Sequence, residues 1–213
     1  QGVFEQIVEK SGFPPDVLQV VYATRHTAGR LIENRPMKIH FTGSVEAGKQ
    51  IMAQASQYLI PVELELGGKD PLIVFDDVHL ERTVNGALWG SMANCGQTCT
   101  SVERVFVQEG IYDTFVAALQ EKAQKLRTLA SEGAGDEFEL QVGTMTSESQ
   151  IQLIEEQLAE ARERGARFVT GGGRVGDSRI FPPTIVADVA PTMQVHACES
   201  FGPVITVTRF STE

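Results

Sequence analysis

A carboxylate and a thiol stand at the two ends of one stretch, Glu65–Cys99. Glu65 lies just before Gly67 and Gly68, which let the backbone turn closely, and Cys99 follows a Gly-Gln pair. A thiolate can attack a carbonyl carbon and become a thioester, and a carboxylate can take a proton from the water that hydrolyses it. These residue types would suffice for acyl chemistry through a thioester, with Cys99 as the candidate nucleophile and a carboxylate such as Glu65 as the candidate base.

Strand-like and helix-like segments alternate around this stretch. The β-branched or alternating segments 17–21, 37–41, 62–66 and 72–75 are predicted strands. Helical periodicity is predicted over 27–33, 45–57, 80–93, 112–129 and 148–164, and further strands over 102–107, 167–170 and 204–210. The prolines of segment 181–186 predict a sheet edge, and polar segment 131–139 predicts a surface loop. This order indicates an α/β fold with parallel sheets and crossover helices, divided at the Gly67-Gly68 pair.

Composition excludes several classes of function. The 213 residues are 42% hydrophobic and 22% charged, which is typical of a soluble globular protein. The net charge of −10 argues against nucleic-acid or anionic-membrane partners, and no apolar run approaches the roughly 20 residues that span a bilayer. Three cysteines do not form a disulfide framework, so we expect a reducing, cytoplasmic location. The chain begins at Gln1 without a methionine and stops at Glu213 just after an apolar run, so we expect it to be an internal piece of a longer protein.

The other two cysteines, Cys95 and Cys198, are predicted to be packing residues, with Cys95 on the helix that precedes Cys99. The spacing of Cys95 and Cys99 would suit a pair of metal ligands, but the four scattered histidines supply no companion spacing. We therefore predict no metal site.

Four motifs resemble those of the aldehyde dehydrogenase superfamily. They are Leu-Glu-Leu-Gly-Gly-Lys at 64–69, Gly-Gln-Thr-Cys at 96–99, Phe-Thr-Gly-Ser at 41–44 and Glu-Ser-Phe-Gly-Pro-Val at 199–204. They follow the family's order and about its intervals over essentially the whole chain, and four motifs in register are far more specific than one. The resemblance implies a partial three-layer α/β fold. Segment 1–66 would be the C-terminal part of a Rossmann-like cofactor-binding domain and 67–213 an incomplete catalytic domain.

The resemblance also implies roles. The cysteine matching Cys99 attacks the aldehyde, a hydride passes to a nicotinamide, and the glutamate matching Glu65 activates the water that hydrolyses the thioester. Pattern alone does not separate Glu65 from Glu63, because both lie on one strand face, and desolvation between Leu64 and Leu66 would make Glu65 a better base. The positions that the resemblance assigns to cofactor binding are Gly43, Ser44, Leu66, Glu199 and Phe201.

The implied reaction is oxidation of a small-molecule aldehyde to a carboxylic acid with NAD, or with NADP. Side chains at Ala23 and Arg25 stand where the family often has a Gly-x-Gly turn, so both cofactors remain open. Alternatives are a CoA-acylating dehydrogenase, a non-catalytic binding module of the same fold, and a cysteine hydrolase, for which no histidine stands out as base. We expect a homo-oligomer for the full-length protein. We also expect no activity from this piece alone, because the family's ribose-binding lysine and oxyanion asparagine find no match in it.

Overall fold

The structure, a computed structural model, describes residues 2–14, 16–129 and 140–212. They form two compact units, Gln1–Leu66 and Gly67–Glu213. The predicted loop at 131–139 lies outside the described residues. No helix among those described is long and apolar enough to cross a membrane.

The first unit contains a parallel pair of strands with a crossover helix. Its elements are α1 (Gly2–Lys10), α2 (Arg25–Glu33), β1 (Ile39–Gly43), α3 (Val45–Ser56) and β2 (Val62–Leu66). Strands β1 and β2 pair in parallel, with Thr42 opposite Glu65 and Gly43 opposite Leu66. Buried Gly48 of α3 lets the helix approach this sheet closely, because a Cβ there would lie 2.8 Å from Leu66 Cδ2. The carboxyl ends of both strands thus meet at one edge.

The second unit is built on a five-stranded sheet in the order β3-β4-β7-β6-β5. The strands are β3 (Asp70–Val74), β4 (Val102–Gln108), β5 (Arg167–Thr170), β6 (Thr184–Ala187) and β7 (Val204–Phe210). All neighbours are parallel except β5, which pairs antiparallel with β6 at the edge. The α/β fold with parallel-rich sheets predicted from the sequence is therefore confirmed.

Among the described residues of this unit, the helices are α4 (Leu80–Met92), α5 (Tyr112–Gln124), α6 (Glu148–Glu163) and α7 (Gln194–Ala197). Short 3₁₀ turns occupy Ala93–Gly96 and Glu109–Ile111. The helical periodicity of 148–164 places an apolar stripe on one face of α6, and that stripe is fully buried: Ile151, Ile154, Leu158 and Ala161. Helix α5 buries an apolar face of its own. The core of this unit includes Phe115, Leu119, Ile151, Ile154, Leu158, Phe181, Val105 and Ile205.

Three predicted elements are wrong. Segment 17–21 is not a strand, because no described neighbour pairs with it; its Val17, Leu18 and Val21 are exposed. Helix α5 ends at Gln124 rather than near 129, since Thr128 forms a parallel bridge with Val142. The proline segment is not an edge: β6 is buried between β5 and β7. Its prolines precede Thr184, the first residue of the ladder, and so remove none of the ladder's donors.

Candidate active site

The Cys99 loop begins with a run of left-handed backbone. Asn94, Cys95 and Gly96 have φ angles of 52°, 59° and 66°. Cys95 therefore lies in the 3₁₀ turn after α4, not on the helix as predicted. Non-glycine residues rarely adopt such angles, and they persist where surrounding contacts hold them.

Side-chain hydrogen bonds of Gln97 hold this loop. Its Oε1 accepts the backbone N–H of Thr146 at 2.8 Å, and its Nε2 donates to the carbonyls of Asn94 (3.1 Å) and Thr144 (3.3 Å). Asn94 in turn donates to the Gln97 carbonyl at 3.0 Å. The loop is thereby fixed to segment 144–146, and it presents Cys99 on the exposed side.

The three cysteines have different environments. Cys95 is buried beside Met145 and the Gly143 carbonyl, and burial raises the pKa of its thiol to about 12. It is the packing residue that the sequence predicted. Cys198 is exposed, so its predicted packing role is wrong; it follows α7, whose inward residues are Val195 and His196. Cys99 is exposed as well. A thiolate is the reactive form of cysteine, which disfavours Cys95 as a nucleophile.

Glu199 lies against the Gly-Gly pair that opens the second unit. Its Oε1 accepts the backbone N–H of Gly68 at 3.3 Å. A Cβ at Gly67 would overlap both carboxylate oxygens, and one at Gly68 would lie 3.5 Å from the Cys99 carbonyl oxygen. Burial raises the pKa of Glu199, and the Gly68 hydrogen bond opposes that effect. The second unit thus gathers Glu199, the glycine pair and the backbone of Cys99.

Close backbone contact joins the Cys99 loop to the segment that carries Phe201. A Cβ at Gly96 would overlap the carbonyl group of Gly202. Phe201 has a φ of 49° and is half-buried. Two motifs that are far apart in sequence therefore adjoin in the fold.

A buried ion pair supports this segment, and the sequence analysis missed it. Lys69 Nζ lies 2.5 Å from Glu103 Oε2 and donates to Ser200 Oγ at 3.0 Å. Burial lowers the pKa of Lys69, while the Glu103 carboxylate acts in the opposite direction. A signal was available: Glu103, Val105 and Val107 share the inward face of β4, where a carboxylate needs a partner.

The two glutamates that are candidates for the general base have different environments in the first unit. Glu63 and Glu65 are both exposed on one face of β2, so the predicted burial of Glu65 between Leu64 and Leu66 is wrong: the leucines point to the other face. Glu63 pairs with Lys38 at 2.5 Å and His40 at 3.3 Å. The hydrogen bond from Lys38, followed by that from His40, lowers the pKa of Glu63. Glu65 forms no hydrogen bond or ion pair with the described residues.

Gly43 and Ser44 connect β1 to α3 at the sheet edge where Leu66 ends β2. Ser44 is the N-cap of α3, its Oγ accepting the N–H of Ala47 at 3.3 Å. The first turn of this 12-residue helix offers free N–H groups and the positive end of the helix dipole. These features fit the phosphate groups of a dinucleotide, and the hydroxyl proton of Ser44 can still be donated.

The chain is therefore an α/β protein with parallel sheets in both units, an exposed thiol on a fixed loop and a helix terminus suited to a phosphate group. The match is specific: residues 2–213 fit the aldehyde dehydrogenase family. The chain belongs to that family.

Individual relatives agree. The chain is 37% identical over 211 residues to the NADP(+) succinate-semialdehyde dehydrogenase of Escherichia coli (strain K12), covering 98% of this chain and 43% of that protein. The crystal structure of lactaldehyde dehydrogenase from Escherichia coli superposes with a TM-score of 0.92 at 37% identity, over 99% of this chain and 44% of that one. A betaine aldehyde dehydrogenase of Staphylococcus aureus, determined with NAD+, gives 0.90 at 32% identity, with 99% and 42% coverage. The chain thus spans less than half the length of these proteins.

Among the described residues, no group of three or more histidine, cysteine, aspartate or glutamate side chains could hold a metal ion.

Proposed function

We propose that the protein containing this chain oxidises an aldehyde to a carboxylic acid with NAD+ or NADP+. The observation that carries the proposal is the Cys99 loop, which is fixed by Gln97, exposes the Cys99 thiol, and has its backbone beside the Gly67-Gly68 pair that Glu199 contacts. The similarity to succinate-semialdehyde, lactaldehyde and betaine aldehyde dehydrogenases supports the reaction type. Because those names differ in substrate, they leave the aldehyde open.

In the first step, the Cys99 thiolate attacks the aldehyde carbon and a C–S bond forms, giving a thiohemiacetal oxyanion. A bound nicotinamide supplies the hydride acceptor. Transfer of the hydride from the substrate carbon to that acceptor would leave the acyl group on Cys99 as a thioester. The exposed thiol of Cys99 suits this role, whereas Cys95 is buried with its thiol pKa raised to about 12.

In the second step, Glu65 takes a proton from water, the hydroxide attacks the thioester, and the acid leaves as Cys99 regains its thiolate. Glu65 is favoured over Glu63 because the carboxylate of Glu63 is engaged by Lys38 and His40. An unengaged carboxylate can accept the proton without breaking an ion pair.

Ser44 and the first turn of α3 are proposed to hold the cofactor's pyrophosphate, next to Gly43 and Leu66 at the same sheet edge. Glu199 is proposed to accept hydrogen bonds from the hydroxyls of the nicotinamide ribose, with Phe201 packing beside that ribose. On this proposal Gln1–Leu66 is the cofactor-binding part and Gly67–Glu213 the catalytic part.

The test uses the protein at its full natural length with several short aldehydes, NAD+ or NADP+, and either water alone or added coenzyme A. We expect formation of reduced cofactor and a carboxylic acid, with no acyl-CoA. An acyl-CoA product would instead support the CoA-acylating alternative. Hydrolysis of a thioester or amide without cofactor reduction would support the cysteine hydrolase. If no cofactor is reduced and iodoacetamide does not label Cys99, the result would support a non-catalytic binding module.

A further inference from the structure

The three residues Glu199, Ser200 and Phe201 are held by side chains from three other parts of the second unit. Both oxygens of the Glu103 carboxylate accept backbone N–H groups, Oε2 from Ser200 at 2.8 Å and Oε1 from Phe201 at 2.9 Å. On the other side of the segment, Gln157 donates to the Glu199 carbonyl at 3.0 Å and Gln150 to the Ser200 carbonyl at 2.7 Å. These contacts fix the backbone on both sides.

Lys69 completes the arrangement. Its ammonium group contacts Glu103 and the Ser200 hydroxyl, which itself donates to Gln157 Oε1 at 2.8 Å. Glu103 is 2% exposed, and the Lys69 side chain is 8% exposed. Charges at this depth are costly unless they are paired and hydrogen-bonded, as these are.

The Lys69–Glu103 pair contacts segment 199–201, which contains an unfavourable backbone conformation. Phe201 has left-handed backbone, which a residue with a bulky side chain rarely adopts. The Glu103 carboxylate binds the N–H groups on both sides of the Ser200 residue, directly before that turn. The direction in which Glu199 projects, toward Gly67 and Gly68, therefore depends on a carboxylate that lies outside the segment.

We infer that Glu103, with Lys69 as its counter-ion, is a positioning residue that orients Glu199 for the nicotinamide ribose. The inference rests on the proposed function of Glu199. Glu103 is bonded within the protein through both oxygens, so it acts on the cofactor only through the segment 199–201. Functional groups held by buried, fully bonded supports keep the geometry that binding requires.

The experiment compares two ligands of the full-length protein by calorimetry: ADP-ribose, which carries the second ribose, and ADP, which lacks it. The affinities for NAD+ and NADP+ are measured first. If NADP+ binds more tightly, the 2′-phosphorylated forms of ADP-ribose and ADP are used instead. With Glu103→Gln, one carboxylate acceptor becomes a donor facing a backbone N–H. We expect about a tenfold loss of affinity for ADP-ribose, in line with losing a charged hydrogen bond, and less than a twofold change for ADP. Glu199→Gln should give the same pattern.

Two further variants keep the test decisive. Lys69→Met combined with Glu103→Gln removes both charges, so that neither is left buried and unpaired, and it should weaken ADP-ribose binding in the same selective way. Val105→Ala creates a gap on the same strand away from segment 199–201, and it should destabilise the fold without separating the two ligands.

Equal losses for ADP-ribose and ADP in the Glu103 variants, or unchanged binding of both, would overturn the positioning role. Failure of the unaltered protein to bind either ligand would instead overturn the proposed function. A selective loss in Val105→Ala as large as that in Glu103→Gln would show that general destabilisation is the cause.

Discussion

Gly96 and Gly202 touch through their backbones, so that a Cβ at position 96 would overlap the Gly202 carbonyl group. This contact joins the loop that presents Cys99 to the segment that carries Glu199. The left-handed φ of 66° at Gly96 makes a side chain there doubly unfavourable. Two parts of the proposed site therefore adjoin because position 96 carries no side chain.

Gly96→Ala tests this contact. The left-handed backbone alone costs roughly 1–2 kcal/mol for a residue with a Cβ, and the overlap adds to it. We expect a lower free energy of unfolding and altered iodoacetamide labelling of Cys99. Gly86→Ala in α4 is the matched control, because a Cβ there meets no atom within 4 Å. That change should be neutral or stabilising by up to about 1 kcal/mol. Equal stability and equal labelling in the two variants would contradict the role given to the contact.

Glu65→Gln should separate acylation from hydrolysis. We expect a rapid burst of reduced cofactor followed by a steady rate lowered by about 10²–10⁴, the usual contribution of a general base. Glu63→Gln is the control on the same strand face, and it should retain nearly the full rate because its carboxylate is engaged by Lys38. Stopped-flow absorbance of the reduced cofactor gives both phases. An undiminished steady rate in Glu65→Gln, or slow turnover in Glu63→Gln instead, would reassign the base.

Glu199→Gln should change the pH dependence of stability. Burial raises the pKa of Glu199 above that of the unfolded chain, so folding favours the protonated form. Any stability from this group is fully present below the unfolded pKa of 4.5 and is lost as pH rises through the folded pKa. The amide has no such loss, so we expect the variant to gain stability relative to the unaltered protein between about pH 4.5 and the folded pKa, and to keep that gain above it. Denaturant unfolding across this range measures the difference. A gain that is the same at every pH would show that Glu199 does not titrate as the structure indicates.

The sequence predicts local structure well where alternation or periodicity is strong. Strands β2, β5 and β7 begin and end at the predicted residues, and the α6 stripe is buried as expected. The strand predicted for segment 17–21 is wrong because β-branched residues favour a strand only where a neighbouring strand pairs with them. The sheet edge predicted for segment 181–186 is wrong because prolines that lie just outside the hydrogen-bonded ladder do not exclude a buried strand.

The site is less predictable from sequence because it depends on contacts between distant segments. The motifs identify Cys99 and Glu199 as candidate site residues. No local sequence pattern predicts that Gly96 contacts Gly202. The alternation along β4 predicts that Glu103 points inward, but it does not predict that Lys69 is its partner. The exposure of Cys198 also depends on how the chain leaves α7, which periodicity does not describe.

The central claim is that Cys99 carries the acyl group, and trapping that group tests it most directly. The full-length Glu65→Gln protein is mixed with an aldehyde and NAD+ or NADP+, quenched in acid after the burst, and its peptides are weighed by mass spectrometry. We predict an acyl adduct on the peptide that contains Cys99, in an amount equal to the reduced cofactor formed, and none after Cys99→Ala. Cys198→Ala, which removes the other exposed thiol, should leave the adduct unchanged. Reduced cofactor formed with the adduct on Cys198, or with no cysteine adduct at all, would contradict the account.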